Sequence, residues 1–201
     1  MRLMGALMSV EPQRQHHWPQ PPPGGYTADD LDRLPDLPPH TELIDGSLVF
    51  MSPQTVFHTR TMRLLENGIL RTAPEDLETM REVTVVLGER QRPEPDLIVI
   101  PARAVAKPDQ TAFRPEDVIL AVEVVSDDSK ARDRETKPLK YAKAGIPHFW
   151  RVESDNGRPV VYVYERDPAT GAYVATGIHH NRLKLSVPFT IDIDLTGATR
   201  P

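Results

Sequence analysis

Val118-Ile119-Leu120-Ala121-Val122-Glu123-Val124-Val125 is an apolar run with one carboxylate in its middle. A second run, Leu97-Ile98-Val99-Ile100, follows directly on Asp96. Each reads as a buried strand, and each carries one acid. An ionised carboxylate is very costly to bury unless something pairs with it, so Glu123 calls for a metal, a cation or a local opening to water. Two such acids on neighbouring strands suggest a metal site.

The flanking sequence supplies the rest of a sheet. Asp45-Gly46, between Thr41-Glu42-Leu43-Ile44 and Ser47-Leu48-Val49-Phe50-Met51, favours a tight type I′ hairpin. Phe57, Leu64, Leu65 and Ile69 recur at roughly helical spacing, which predicts a first long helix over 56–71 with Ser52 or Thr55 as its cap. Thr79 to Leu87 reads as one strand ahead of the two acid-bearing ones. A second helix ends at Ala144-Gly145, where glycine suits the left-handed position past a helix C-terminus. Pro138 forces that helix either to start near Thr136 or to kink there; the first is expected, with Lys137 at the helix start. Phe149-Trp150-Arg151-Val152 and Val160-Val161-Tyr162-Val163-Tyr164 read as two further strands. Near the beginning, Thr27 and Asp30 have the spacing of a capped short helix. The pattern is a mixed α/β (α+β) sheet with few helices rather than a regular βαβ repeat.

With 201 residues, of which 39% are hydrophobic and 26% charged, the chain suits one folded domain plus a tail. Pro12, Pro19, Pro21, Pro22 and Pro23 ahead of Gly24-Gly25 mark residues 1–25 as a Pro-rich disordered tail, leaving 26–196 as the domain. Met4 and Met8 could serve as alternative starts, and the opening Met1 to Val10 does not read as a signal peptide. The formal charge of -5 means that the whole molecule does not attract phosphate backbones, so nucleic-acid binding needs a local patch. The absence of cysteine excludes disulfides, thiolate zinc sites and a cysteine nucleophile, and is compatible with a cytoplasmic location. No apolar stretch approaches a membrane span.

Metal-assisted phosphodiester hydrolysis needs hard oxygen ligands, a poised water and a cation near the developing negative charge. Asp96, Glu123 and Lys137 supply those types. Each also has a plain structural reading. Asp96 after Pro95 resembles an ordinary strand-start acid, and Glu123 could pair with an arginine such as Arg81. Lys137 belongs to a charge run from Lys130 to Lys143 that is mostly a solvated helix face, although Asp133, Lys137 and Tyr141 would share one side of any helix containing them. Glu42 could be an exposed hairpin residue, and His58 a cap or surface histidine. No metal is assigned to the His16-His17 or His179-His180 pairs. There is no Gly-rich phosphate loop, Gly-x-Ser-x-Gly elbow or His-Glu-x-x-His pair.

The ordered set resembles the Uma-two restriction endonuclease family of the PD-(D/E)XK nuclease superfamily. It comprises Glu42-Leu43-Ile44-Asp45-Gly46, Met51-Ser52-Pro53, His58, Arg92-Pro93-Glu94-Pro95-Asp96, Glu123-Val124-Val125-Ser126, Asp133, Lys137, Tyr141 and Ala144-Gly145-Ile146-Pro147-His148-Phe149-Trp150. The resemblance covers about 27–173 and implies a restriction-endonuclease-like core, a central mixed β-sheet flanked by helices. The superfamily's usual Glu-x-Lys ends here in Val125, and Lys137 matches the family's own variation, in which the lysine role passes to a helix. The resemblance implies catalytic roles for Glu42, Asp96, Glu123 and Lys137, with Asp96 and Glu123 holding Mg²⁺, or Mn²⁺ in its place. Asp133 and Tyr141 would fix the lysine amine, and His58 would contact substrate.

The resulting expectation is a cytoplasmic, Mg²⁺-dependent DNA endonuclease. Double-strand cutting would favour a homodimer. Two rivals stand beside it: a non-catalytic nucleic-acid-binding or regulatory protein on the same fold, and a structural domain in which Lys137 and Glu123 form a permanent ion pair.

Overall fold

The computed structural model describes residues 20–199; the expected tail and the His16-His17 pair lie outside them up to residue 19. Thr27 starts a short 3-10 turn over Ala28–Asp32, and the Asp30 carboxylate accepts from both the Thr27 backbone N–H and its hydroxyl. The hairpin forms as expected from β1 (Glu42–Ile44) and β2 (Ser47–Val49). Asp45 and Gly46 both adopt positive φ, the geometry a type I′ turn demands. The helix α1 (Val56–Thr72) begins under Thr55, whose hydroxyl accepts from the His58 N–H.

The stretch read as one strand over 79–87 is broken in two. β3 (Leu77–Arg81) joins the main sheet, while β4 (Thr84–Val85) pairs in parallel with β6 (Ala112–Phe113) in a separate two-stranded sheet. Glu82, at φ 49°, turns the chain between them. The two acid-bearing runs become β5 (Leu97–Pro101) and β7 (Leu120–Val124), antiparallel neighbours with Leu97 opposite Val122. Extending that register by one residue sets Asp96 beside Glu123.

The second helix corrects the expected start at Thr136. Helical backbone already runs through Arg132–Thr136 as a π-turn before α2 (Lys137–Ala144), and the Lys137 N–H reaches back to the Arg132 carbonyl. A π-turn frees backbone from the i−4 ladder, so the residue that lacks an N–H, Pro138, is accommodated without ending the helix. Lys137 therefore sits inside a helical segment rather than at its start. Gly145 at φ 93° closes α2, as its sequence position predicts.

The chain then forms β8 (His148–Asp155), β9 (Arg158–Arg166) and β10 (Tyr173–His179), followed by the hairpin β11 (Arg182–Leu185) and β12 (Ile191–Asp194). Six strands make one mixed sheet in the order β10-β9-β8-β7-β5-β3, with β7 and β8 as its parallel pair. Leu120, Val122 and Val124 point to one face and pack with Met62, Leu65 and Ile69 of α1. Ile98, Ile100 and Ala121 point to the other, with Tyr141 and Ile146. Burial on both faces is why β5 and β7 read as continuous apolar runs. At Gly68 of α1, a Cβ would lie 2.4 Å from Ile193, so glycine is what lets β12 approach the helix. Among the described residues no helix is long and apolar enough to cross a membrane.

Candidate active site

Strand alternation sends Glu123 to the same face as Ala121, toward α2. There Lys137 Nζ donates to Glu123 Oε2 at 3.0 Å, and Tyr141 Oη donates to Glu123 Oε1 at 2.5 Å. The ammonium also lies 2.8 Å from Glu42 Oε1 and 3.3 Å from Asp133 Oδ1. One helix face thus delivers Asp133, Lys137 and Tyr141 at four-residue steps, the spacing visible in the sequence. Glu42 arrives from the hairpin; its Oε1 also accepts from the Glu94 N–H at 2.8 Å. Asp96 is held by the Val124 N–H at 2.5 Å on one oxygen and by His58 Nε2 at 3.0 Å on the other.

The four residues expected to be catalytic, Glu42, Asp96, Glu123 and Lys137, therefore come together, all buried. Glu42, 0% exposed, is no surface hairpin residue, and His58, 2% exposed, is no surface histidine. Arg81 is not the partner of Glu123; it pairs with Glu66 at the surface. Two residues given only supporting or substrate-contact roles, Asp133 and His58, are integral to the cluster. For Asp133 the signal was its i,i+4 relation to Lys137; for His58 nothing local pointed to Asp96, which is distant in sequence.

The electrostatics follow from burial. It pushes the Glu123 carboxyl well above the usual range; Lys137 pulls it back, but Asp133, Asp96 and Glu42 add to the rise. Asp133 is raised chiefly by burial, against the pull of Lys137 and a hydrogen bond from Ser129. Burial opposes the charge on Lys137, yet Glu123, Glu42, Asp133 and Asp96 together hold its ammonium well above the normal lysine range. Burial and the neighbouring Glu123 likewise push the Tyr141 phenol up. At neutral pH Lys137 is thus a fixed cation and hydrogen-bond donor, not a base.

Three carboxyl groups contact one ammonium, a fourth, that of Asp96, is close enough to act on its charge, and Glu42 Oε2 is buried without a hydrogen-bond partner. Surplus hard-oxygen donors in an acid-rich interior are what a divalent cation such as Mg²⁺ prefers, so the residues present fit that ion chemically. Among the described residues no three acidic or histidine side chains already converge as a ligand shell; the Lys137 ammonium occupies the middle of the cluster.

A family profile described as "Putative restriction endonuclease", Uma2, matches residues 28–198. The chain belongs to the Uma2 family. That match extends beyond the motifs into the β11–β12 hairpin, so the Uma2 fold takes in nearly all of the described chain. The crystal structure of a protein from Anabaena variabilis, described as a putative nuclease belonging to DUF820, is similar with a TM-score of 0.60. At 16% identity the similarity covers 86% of the Uma2 chain described here and 96% of the other, and it shows the common fold. A comparison with curated proteins gives no match.

Proposed function

We propose that this protein is a metal-dependent endonuclease that hydrolyses DNA phosphodiester bonds in the cytoplasm. The observation that carries the reading is the buried convergence of Glu42, Glu123 and Asp133 on Lys137, with Asp96 close enough to act on its charge. Family membership supports a nuclease role for it. A cluster with this surplus of acid is poorly designed as a structural ion pair and well suited to hold a cation.

In this reading Asp96 and Glu123 would hold Mg²⁺, or Mn²⁺, which would supply Lewis-acid stabilisation of the phosphoryl oxygens and lower the pKa of water. Val124 N–H and His58 aim the Asp96 carboxylate, and Tyr141 aims that of Glu123. Lys137, held charged, would donate to the negative charge that develops on the phosphoryl oxygens and position the attacking water; it would not take the water's proton, which would pass to solvent once the metal lowers that water's pKa. Glu42 and Asp133 hold the lysine in place. A depression of about 220 Å³ between the Met51–Thr55 segment and Ser126–Asp128 adjoins the end of β7, and the scissile phosphate enters there. Because the cluster is buried, one of those two segments must move aside.

The test is incubation of supercoiled plasmid with the purified protein in Mg²⁺, Mn²⁺ or EDTA. Nicked or linear product in metal alone supports the reading; intact plasmid, and equally intact linear and single-stranded DNA, across all three conditions contradicts it. A binder without catalysis would retain DNA while leaving it uncut.

A further inference from the structure

On the outer side of α2, away from Lys137, a groove of about 770 Å³ runs between that helix and the β9–β10 strands. Its charge is opposite to that of the chain. Arg134, Lys143, Arg151 and Arg166 line it with Glu135 as the one acid of the lining, in a protein whose formal charge is -5. Glu153 just beyond the rim pairs with both Arg134 and Arg151 and offsets part of their charge, so that with Glu135 two acids stand against four cations and the groove keeps a net positive charge. The helix wall is apolar, formed by Pro138, Ala142 and Leu139, the last 73% exposed. On the sheet wall the Arg151 guanidinium is layered on Tyr162 and Tyr164, at 4.7 and 5.6 Å from the ring centroids, making a planar cationic platform.

We propose that this groove binds a single strand of DNA, the phosphates against the arginines and lysine and the bases against the Leu139 wall and the Arg151 platform. Cations that track a backbone beside apolar and planar surfaces are the chemistry of sequence-tolerant single-strand binding. A duplex shows its phosphates on a convex surface and does not enter a groove of this size, whereas unstacked nucleotides do. The groove also lies near the strand end that carries the candidate active site. Arg134 lines both it and a smaller depression formed with Val125, Ser126 and Lys130, and Val125 lies two residues beyond Glu123. A strand leaving the end of β7 along α2 would meet Arg134 at the groove's edge. The placement of a flanking strand rests on the nuclease reading; the binding itself does not.

The experiment is fluorescence anisotropy of a labelled oligothymidylate with the full chain in EDTA, over a range of salt, comparing the wild type with an Arg134→Ala/Lys143→Ala protein. Both side chains are exposed, so the variant should fold, which circular dichroism checks. The wild type should bind, and loss of two phosphate contacts should weaken binding roughly tenfold or more and reduce the log–log salt slope by about 1.4. Failure of the wild type to bind overturns the inference. So does equal binding and slope in the variant, or tighter groove-dependent binding of a duplex. Self-association of the wild type that the variant loses would assign the groove to a second copy instead. Because EDTA prevents metal-dependent cutting, an inactive protein with intact groove binding refutes only the nuclease reading.

Discussion

The Lys137 cluster should respond asymmetrically to removal of its charges. Lys137→Met deletes the ammonium that faces Glu42, Glu123 and Asp133 and leaves three buried acids without a cation. Removing one partner of a buried pair typically costs about 3–5 kcal/mol. For a domain of this size that lowers Tm by roughly 6–20 °C, at about 2–4 °C per kcal/mol. Protonation of the stranded acids relieves part of the loss, so the cost should be greater at pH 8 than at pH 5. Glu123→Gln does the opposite, removing one of four acids while Lys137 keeps Glu42 and Asp133. The amide oxygen can accept from Lys137 while the amide nitrogen donates to the Tyr141 oxygen, so the substitution should cost no more than about 1 kcal/mol. Urea unfolding followed by circular dichroism, without metal, at the two pH values measures both variants. Equal losses for the two would refute the view that the cluster carries surplus acid, and would favour a balanced, structural Lys137–Glu123 pair. A Lys137→Met protein as stable as the wild type would contradict the burial argument altogether.

Other consequences can be measured independently. Because burial raises Glu123 and Asp133, the folded, metal-free protein holds more protons than its unfolded chain above the ordinary carboxylate range. That contribution to stability is complete below the unfolded pKa values and is lost as pH rises through the folded ones. Lys137, raised above an already high value, contributes throughout this window and loses its share only in stronger alkali. Added Mg²⁺ should therefore stabilise more as pH rises and should expel protons as it binds, seen by calorimetry in buffers of different ionisation heat; pH-independent binding would contradict the assignment. Gly68→Ala should cost roughly 1–3 kcal/mol by driving a methyl against Ile193, read as a fall in Tm; an unchanged Tm would show that β12 yields at no cost.

Much of this site was legible because its residues obey local periodicities. Glu123 stands out within an apolar run, Asp96 lies at the start of another, and Asp133, Lys137 and Tyr141 fall at four-residue steps, so the sequence points to the residues that gather, although Tyr141, expected to fix the lysine amine, bonds Glu123 instead. Asp45-Gly46 sets the hairpin that carries Glu42. What escaped depends on distance. No local rule says that His58 in α1 meets Asp96, or that Glu42 is closed over by the helix, because both follow from packing across the sheet. The π-turn before α2 escaped because Pro138 signals trouble in a helix without saying how backbone geometry absorbs it. Glu82 broke a stretch of good β-formers because a residue at positive φ leaves no compositional mark when it is neither Gly nor Asn. β12, Ile191-Asp192-Ile193-Asp194, alternates cleanly yet was not among the expected strands, and β10 carries a bulge between Ala175 and Gly177 that hides its period.

The most direct test of the account is single-turnover cleavage of plasmid DNA in Mg²⁺ by the wild type beside Asp96→Asn and Glu123→Gln, each shown to be folded. The account expects the wild type to cut and both isosteric variants to lose cleavage by at least about a hundredfold, as loss of a charged group at a reacting centre does. Undiminished cutting by either variant would place the chemistry elsewhere in the molecule and contradict it.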